Sequence, residues 1–203
     1  MVKYPTVVDI GTDHAKLPIY LVGHGLATKV LVTDVNPGPL AGAKRNIVDC
    51  GPIMGEISWC LCDGLDGVNP AEYEVCVISG MGGGLITRIL RQNIAVARGF
   101  KQLLLSPQRH VGDVRRFLHQ NGFCINDEEM LEENGKFYNI LDVSAGHEGP
   151  YDAKGYAFGQ VLLHKKPDVL KKFVEIEAEK VRKIGRSELK EYLQLCEEVL
   201  ECL

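Results

Sequence analysis

The chain has 203 residues, 23 lysines and arginines against 27 acids, a net charge of −4, and 45% apolar residues. That composition suits one soluble domain with a sizeable core and a small appendage, and it argues against wholesale adhesion to nucleic acid. Seven cysteines are scattered with no C-x-x-C pair, and no apolar run approaches membrane-spanning length. Buried free thiols in a reducing cytoplasm, no structural metal and no membrane partner are therefore expected.

The first element is a short buried strand at Val7 to Ile10, turning at Gly11 into a helix over Ala15 to Leu26. Strand, glycine and helix in that order make the nucleotide-binding corner of open α/β sheets, because a helix N-terminus presents unpaired amides. The second and third glycines of a pyrophosphate-binding G-x-G-x-x-G are missing, and Asp13 and His14 occupy the turn. Carboxylates at Asp9 and Asp13 would repel a pyrophosphate and suit a ligand carrying positive charge, such as S-adenosylmethionine.

Lys29 to Val35 reads as a second strand ending at Asp34, 25 residues beyond Asp9, close to the offset of a ribose-binding acid. Pro37, Gly38 and Pro39 are expected to form a turn, with a helix over Leu40 to Cys50. Ile57 to Cys62 is a third strand, followed by Asp63-Gly64-Leu65, and Tyr73 to Ser79 is a fourth, followed by Gly80-Met81-Gly82-Gly83-Gly84 and a helix from Leu85. Gln102 to Leu105 is a fifth, ending at Ser106-Pro107-Gln108, and Val111 to Asn121 a helix. Phe123 to Leu131 and Phe137 to Val143 form an antiparallel pair about Asn134-Gly135. Strands alternating with helices predict a doubly wound, mainly parallel sheet with all parallel strand ends on one rim. Asp9, Asp34, Asp63 and the glycine run then converge on one crevice.

Residues 150–159 read as a linker. Two amphipathic helices follow, Pro167 to Ile184 and a second from a cap at Ser187, predicting a helical hairpin. The expected domains are 1–149 and 150–203. From Arg88 to His119 seven lysines and arginines (88, 91, 98, 101, 109, 115 and 116) stand against Asp113 alone, a pattern suited to phosphate contacts.

With these residues assembled, the chain resembles the TrmK family, bacterial tRNA adenine-N1 methyltransferases acting on adenine 22. The resemblance rests on DIGTDHAKLP (Asp9–Pro18), Asp34, CDGL (Cys62–Leu65), ISGMGGGLI (Ile78–Ile86), LLLSPQ (Leu103–Gln108), ENGKFYNI (Glu133–Ile140) and YAFGQVLL (Tyr156–Leu163). It implies a class I S-adenosyl-L-methionine-dependent, Rossmann-like methyltransferase fold with a C-terminal helical hairpin and tRNA as partner; a monomer is favoured, with the oligomeric state left open. The chain departs from the family pattern at Asn139, in Ser106-Pro107-Gln108, and in the six residues that precede Val7. Cofactor binding is expected from Asp9, Gly11, Asp13, His14, Asp34, Val35, Asp63, Gly64, Leu65, Gly80, Met81 and Gly82. Asp13, His14, Gln108 and Tyr138 are the candidates for chemistry and substrate contact. Three other readings stay open: a methyltransferase with a different substrate, a nicotinamide-dependent oxidoreductase, and a non-catalytic RNA-binding protein with a vestigial site.

Overall fold

The structure is a computed structural model and describes residues 1–51 and 54–203. Seven strands form one sheet: β1 (Thr6–Ile10), β2 (Lys29–Asp34), β3 (Glu56–Leu61), β4 (Val75–Met81), β5 (Gln102–Pro107), β6 (Phe123–Glu133) and β7 (Lys136–Ala145), in the spatial order β3-β2-β1-β4-β5-β7-β6. The first five are parallel. β7 enters antiparallel between β5 and β6, with Leu104 opposite Asp142.

The central strands are apolar on both faces because both are covered, as parallel sheets require. Alternation sends Val8 and Ile10 of β1 to one face and Val7 and Asp9 to the other. The first face packs on α3 (Gly83–Gln92), α4 (Ile94–Gly99) and α5 (Val111–Gln120), with Ile78, Ile86, Leu90, Leu105 and Phe117 among its buried side chains. The second packs on α1 (Lys16–Gly23) and α2 (Pro37–Asp49), through Leu21, Val22, Val30 and Val77, with Ala15, Val32 and Ala43 beside them. In α5 the buried Val114, Phe117 and Leu118 repeat at helical spacing, which fixes the face it turns to the sheet.

Several boundaries differ from those read in the sequence. Pro37, Gly38 and Pro39 are not a turn but the first turn of α2. Proline is tolerated there because the first amides of a helix have no intrahelical acceptor to bond. Helix α3 starts at Gly83 rather than Leu85. The short α4 was not expected.

The stretch expected as a linker contains a π-helical turn at Gly155–Gly159 that runs into α6 (Gln160–Lys165), with Phe158 buried. Beyond it lie α7 (Asp168–Ile184) and α8 (Lys190–Cys202). Ser187 makes no side-chain cap; its carbonyl accepts the Lys190 amide in a 3-10 turn that leads into α8. On α7, Leu170, Val174, Ala178 and Val181 form one buried stripe. The first three share a third core with Cys196 and Val199 of α8, Phe158, Leu162 and Met130 of β6. The C-terminal helices are thus packed onto the β6–β7 ribbon as well as onto each other.

Arg115 fastens that junction. Its Nε donates to Glu128 Oε1 at 2.7 Å, with both side chains 1% exposed. Its Nη1 donates to the carbonyls of Tyr156 and Ala157, and the Val161 amide donates to Glu128 Oε2. Gly159 passes over the pair at φ +93°, where an added Cβ would lie 2.6 Å from Glu128 Oε2, so no larger residue fits. This corrects the expectation that Arg115 contacts phosphate: it is consumed inside the fold. Lys101 and Arg98 are likewise engaged, with Glu74 (2.7 Å) and with the Asn121 carbonyl.

Candidate active site

The carboxyl ends of β1 to β4 meet along one rim, and two cavities open between them. The first, about 220 Å³, is lined by Gly11, Asp34, Val35, Asn36, Cys62, Asp63 and Gly64, with Leu85, Arg88 and Ile89 of α3 along another side. The second, about 380 Å³, is lined by Asp9, Gly11, Thr12, Asp13, His14, Ser79 and Gly80. Gly11 and Met81 belong to both, so the cavities adjoin across the Gly11 turn. Gly11 stands at φ +75°, and a Cβ there would run into the Met81 methyl. The turn thus needs glycine on two counts. It is held by the Gly11 and Thr12 amides, which both donate to the Thr33 carbonyl at 2.9 Å.

The acids of the rim are in unlike states. Asp34, half-buried at the end of β2, accepts the Asn36 amide on Oδ1 at 2.7 Å, and Oδ2 has no hydrogen bond among the described residues. That leaves one carboxylate oxygen for a ribose hydroxyl. Asp63 is exposed and stands 3.8 Å from Arg88 Nη2, a loose pair that a ligand can displace. Asp13 and His14 are exposed and lie 3.1 Å apart.

Asp9 is the buried one. Its carboxylate accepts the Thr12 hydroxyl, and burial raises its pKa from 3.8 to about 6 against the opposing effect of that bond. An anion held at this cost with no cation beside it among the described residues favours a positively charged ligand in the second cavity. The residues therefore fit S-adenosylmethionine: a carboxylate with one oxygen left for a hydroxyl and an apolar wall in the first cavity, carboxylates in the second.

Most of the expected site residues line these cavities, but not all. Leu65 is fully buried in the core, and Gly82 stands ahead of α3; neither lines these two cavities. Gln108 lines a separate cleft, although its amide donates to the Met81 carbonyl at 2.9 Å. Tyr138 is half-buried on β7 opposite Leu131 and lines none of the cavities among the described residues. Sequence reasoning missed Thr12, and it missed Leu85, Arg88 and Ile89 as cavity walls. The i, i+3, i+4 spacing of those three was the signal that could have found them.

A doubly wound sheet of this order, with acids at or just after the ends of β1, β2 and β3 and a glycine-flanked β4 end, defines a Rossmann-like S-adenosylmethionine-dependent methyltransferase fold. Within that class the chain belongs to the TrmK family, tRNA (adenine(22)-N(1))-methyltransferase, whose pattern matches residues 7–201. It is 34% identical over 157 residues to the tRNA (adenine(22)-N(1))-methyltransferase of Bacillus subtilis (strain 168), a stretch that covers 77% of this chain and 66% of that protein. The chain thus spans about two thirds of that curated relative. Among solved structures, Streptococcus pneumoniae Sp1610 in complex with S-adenosyl-L-methionine superposes with a TM-score of 0.91 at 34% identity, covering 98% of this chain and 94% of that one. The crystal structure of the B. subtilis M1A22 tRNA methyltransferase TrmK gives a TM-score of 0.86 at 30% identity, with coverage of 98% and 94%.

Proposed function

We propose that this chain methylates N1 of an adenine in tRNA, position 22 by family membership, with S-adenosyl-L-methionine as donor. The observation that carries the reading is the pair of adjoining cavities at Gly11 and Met81, with a ribose-type acid in one and the buried Asp9 in the other. The cofactor supplies an electrophilic methyl group on a sulfonium.

The residues of the chain do the rest. Asp34 holds the ribose through its free oxygen, and Asp63 meets the adenine edge of the cofactor after parting from Arg88. Asp9 and Asp13 favour the cationic methionine end. Gly80 leaves the backbone open where the target adenine approaches. Adenine N1 carries an in-plane lone pair and needs no prior deprotonation, so positioning and exclusion of water carry most of the catalysis. As N1 bonds to the methyl carbon and the carbon–sulfur bond breaks, the ring becomes cationic, and Asp13, beside His14, takes the N6 proton. Gln108, bonded to the end of β4, contacts the substrate.

The exposed arginines 88, 91, 109 and 116, on α3, α5 and the loop after β5, meet the RNA backbone. We place the protein in the cytoplasm as a monomer; no helix among its described residues is long and apolar enough to cross a membrane.

The test is transfer of labelled methyl from S-adenosylmethionine to unmodified tRNA, followed by digestion to nucleosides. The expected product is 1-methyladenosine. Label in another nucleoside, or none in RNA, contradicts the proposal.

A further inference from the structure

A third cleft, about 590 Å³, lies on the same rim beyond Gln108, between the loop after β5 and the C-terminal helices. Its volume falls within the ~300–1,000 Å³ usual for small-ligand sites. It shares no lining residue with the two cofactor cavities, so it is a site of its own. The hydrogen bond from the Gln108 amide to the Met81 carbonyl nonetheless ties its wall to theirs.

Three aromatic side chains line it: Phe137 of β7, Phe173 of α7 and Tyr192 of α8. Phe137 and Phe173 meet edge to face with centroids 5.2 Å apart. Among them sits Asn139, 8% exposed, whose side-chain amide is not among the described residues' buried, unpartnered polar groups and so keeps contact with the solvent of the cleft. An amide held in the cleft wall can exchange that water for a ligand, and its adjacent donor and acceptor match the edge of a nucleobase. Arg109 and Arg116 line the same cleft, and Arg116 also lines a further hollow with Arg91, so cationic groups continue from the cleft onto α3. Asp113 draws on Arg116 at 3.3 Å, but Arg91, Arg109 and Arg116 are all exposed and free to pair with phosphate.

Aromatic faces, a buried amide and flanking arginines are the chemistry of a nucleotide site. N1 lies on the Watson–Crick edge, so reaction at a paired adenine requires drawing it out of the pair and leaves the opposite base without a partner. We propose that the third cleft receives that orphaned base, while the target adenine enters beside Gly80. The proposal rests on the RNA-methylating reading above. The cleft then acts in target extrusion, lowering the cost of opening the pair.

The experiment uses a hairpin RNA with 4-thiouridine opposite the target adenine, bound to the full chain with S-adenosylhomocysteine and irradiated. Mass spectrometry should map the crosslink to Phe137, Phe173 or Tyr192. A crosslink on residues 12–17 or 79–82, or none at all, overturns the proposal.

A second arm fills the cleft from an exposed position with Ala153→Phe. On a base-paired RNA kcat/KM should fall about 10-fold, the scale of one lost base–aromatic stack. On the same RNA with an abasic site opposite the target it should be unchanged, as should calorimetric affinity for S-adenosylmethionine. Equal loss on both RNAs, or loss on neither, overturns the proposal. Should the unsubstituted chain methylate no RNA, the functional reading fails by itself, and the crosslink map still decides the cleft.

Discussion

The rim and the junction with the C-terminal helices both concentrate charge, and they use it in opposite ways. At the rim, Asp13, Asp34 and Asp63 are exposed or half-buried and engaged by one weak or local partner each. At the junction, Arg115 and Glu128 are sealed from solvent and spend their hydrogen bonds on each other and on the backbone of residues 156–161. Charge that solvent can reach is available to a ligand. Charge the fold has desolvated and paired is architecture, whatever its sign contributes to a count.

The sharpest way to break this contrast is to delete one partner from each region. Glu128→Ala leaves the Arg115 guanidinium buried and unpaired, and should lower unfolding stability by about 3–5 kcal/mol in urea denaturation. Replacing both, as Arg115→Met with Glu128→Leu, should cost less than the single change. At the rim, Asp63→Ala should cost under about 1 kcal/mol, because Arg88 stays in water. Comparable losses at the two places would erase the distinction.

Asp9 is the rim acid that crosses over, since it is buried like the junction. Its pKa is raised to about 6, so the folded state holds this proton more tightly than the unfolded chain. That contribution is complete below pH 3.8 and is lost as pH rises through 6. Asp9→Asn should therefore gain on the unsubstituted protein by up to about 3 kcal/mol between pH 4 and pH 8. The measurement is parallel denaturation curves across that range. S-adenosylmethionine should narrow the gap at pH 8 by supplying a cation to the carboxylate.

The smallest effect concerns RNA. Arg109→Glu with Arg116→Glu should weaken tRNA binding and flatten its salt dependence, by about one unit of slope per lost phosphate contact. Lys101→Glu, which removes the partner of Glu74, should leave the slope unchanged. An unaltered slope in the double variant would take the RNA path off this face.

These contrasts explain what the sequence could and could not reveal. The place of Asp34 on the rim was legible because it follows from a strand end, which is local. The same holds for the Gly11 turn and for the β6–β7 hairpin about Asn134-Gly135. Arg115 was misread because its partner sits on another element and its other contacts lie some forty residues on. No periodicity encodes such a pairing. The helical turn at 155–159 was hidden for the same reason: Gly155, Tyr156 and Gly159 look like linker residues until Arg115 holds the carbonyls of Tyr156 and Ala157 and Glu128 the amide of Val161. Pro37 was misleading in a different way, since proline punctuates a turn and opens a helix with the same φ.

The account stands or falls on Asp34 as the anchor of a cationic, ribose-bearing donor, and calorimetry tests this most directly. S-adenosylmethionine titrated into the full chain should bind at one site, and Asp34→Ala should abolish measurable heat while circular dichroism shows the fold intact. Binding by the variant at the strength of the unsubstituted protein would contradict it.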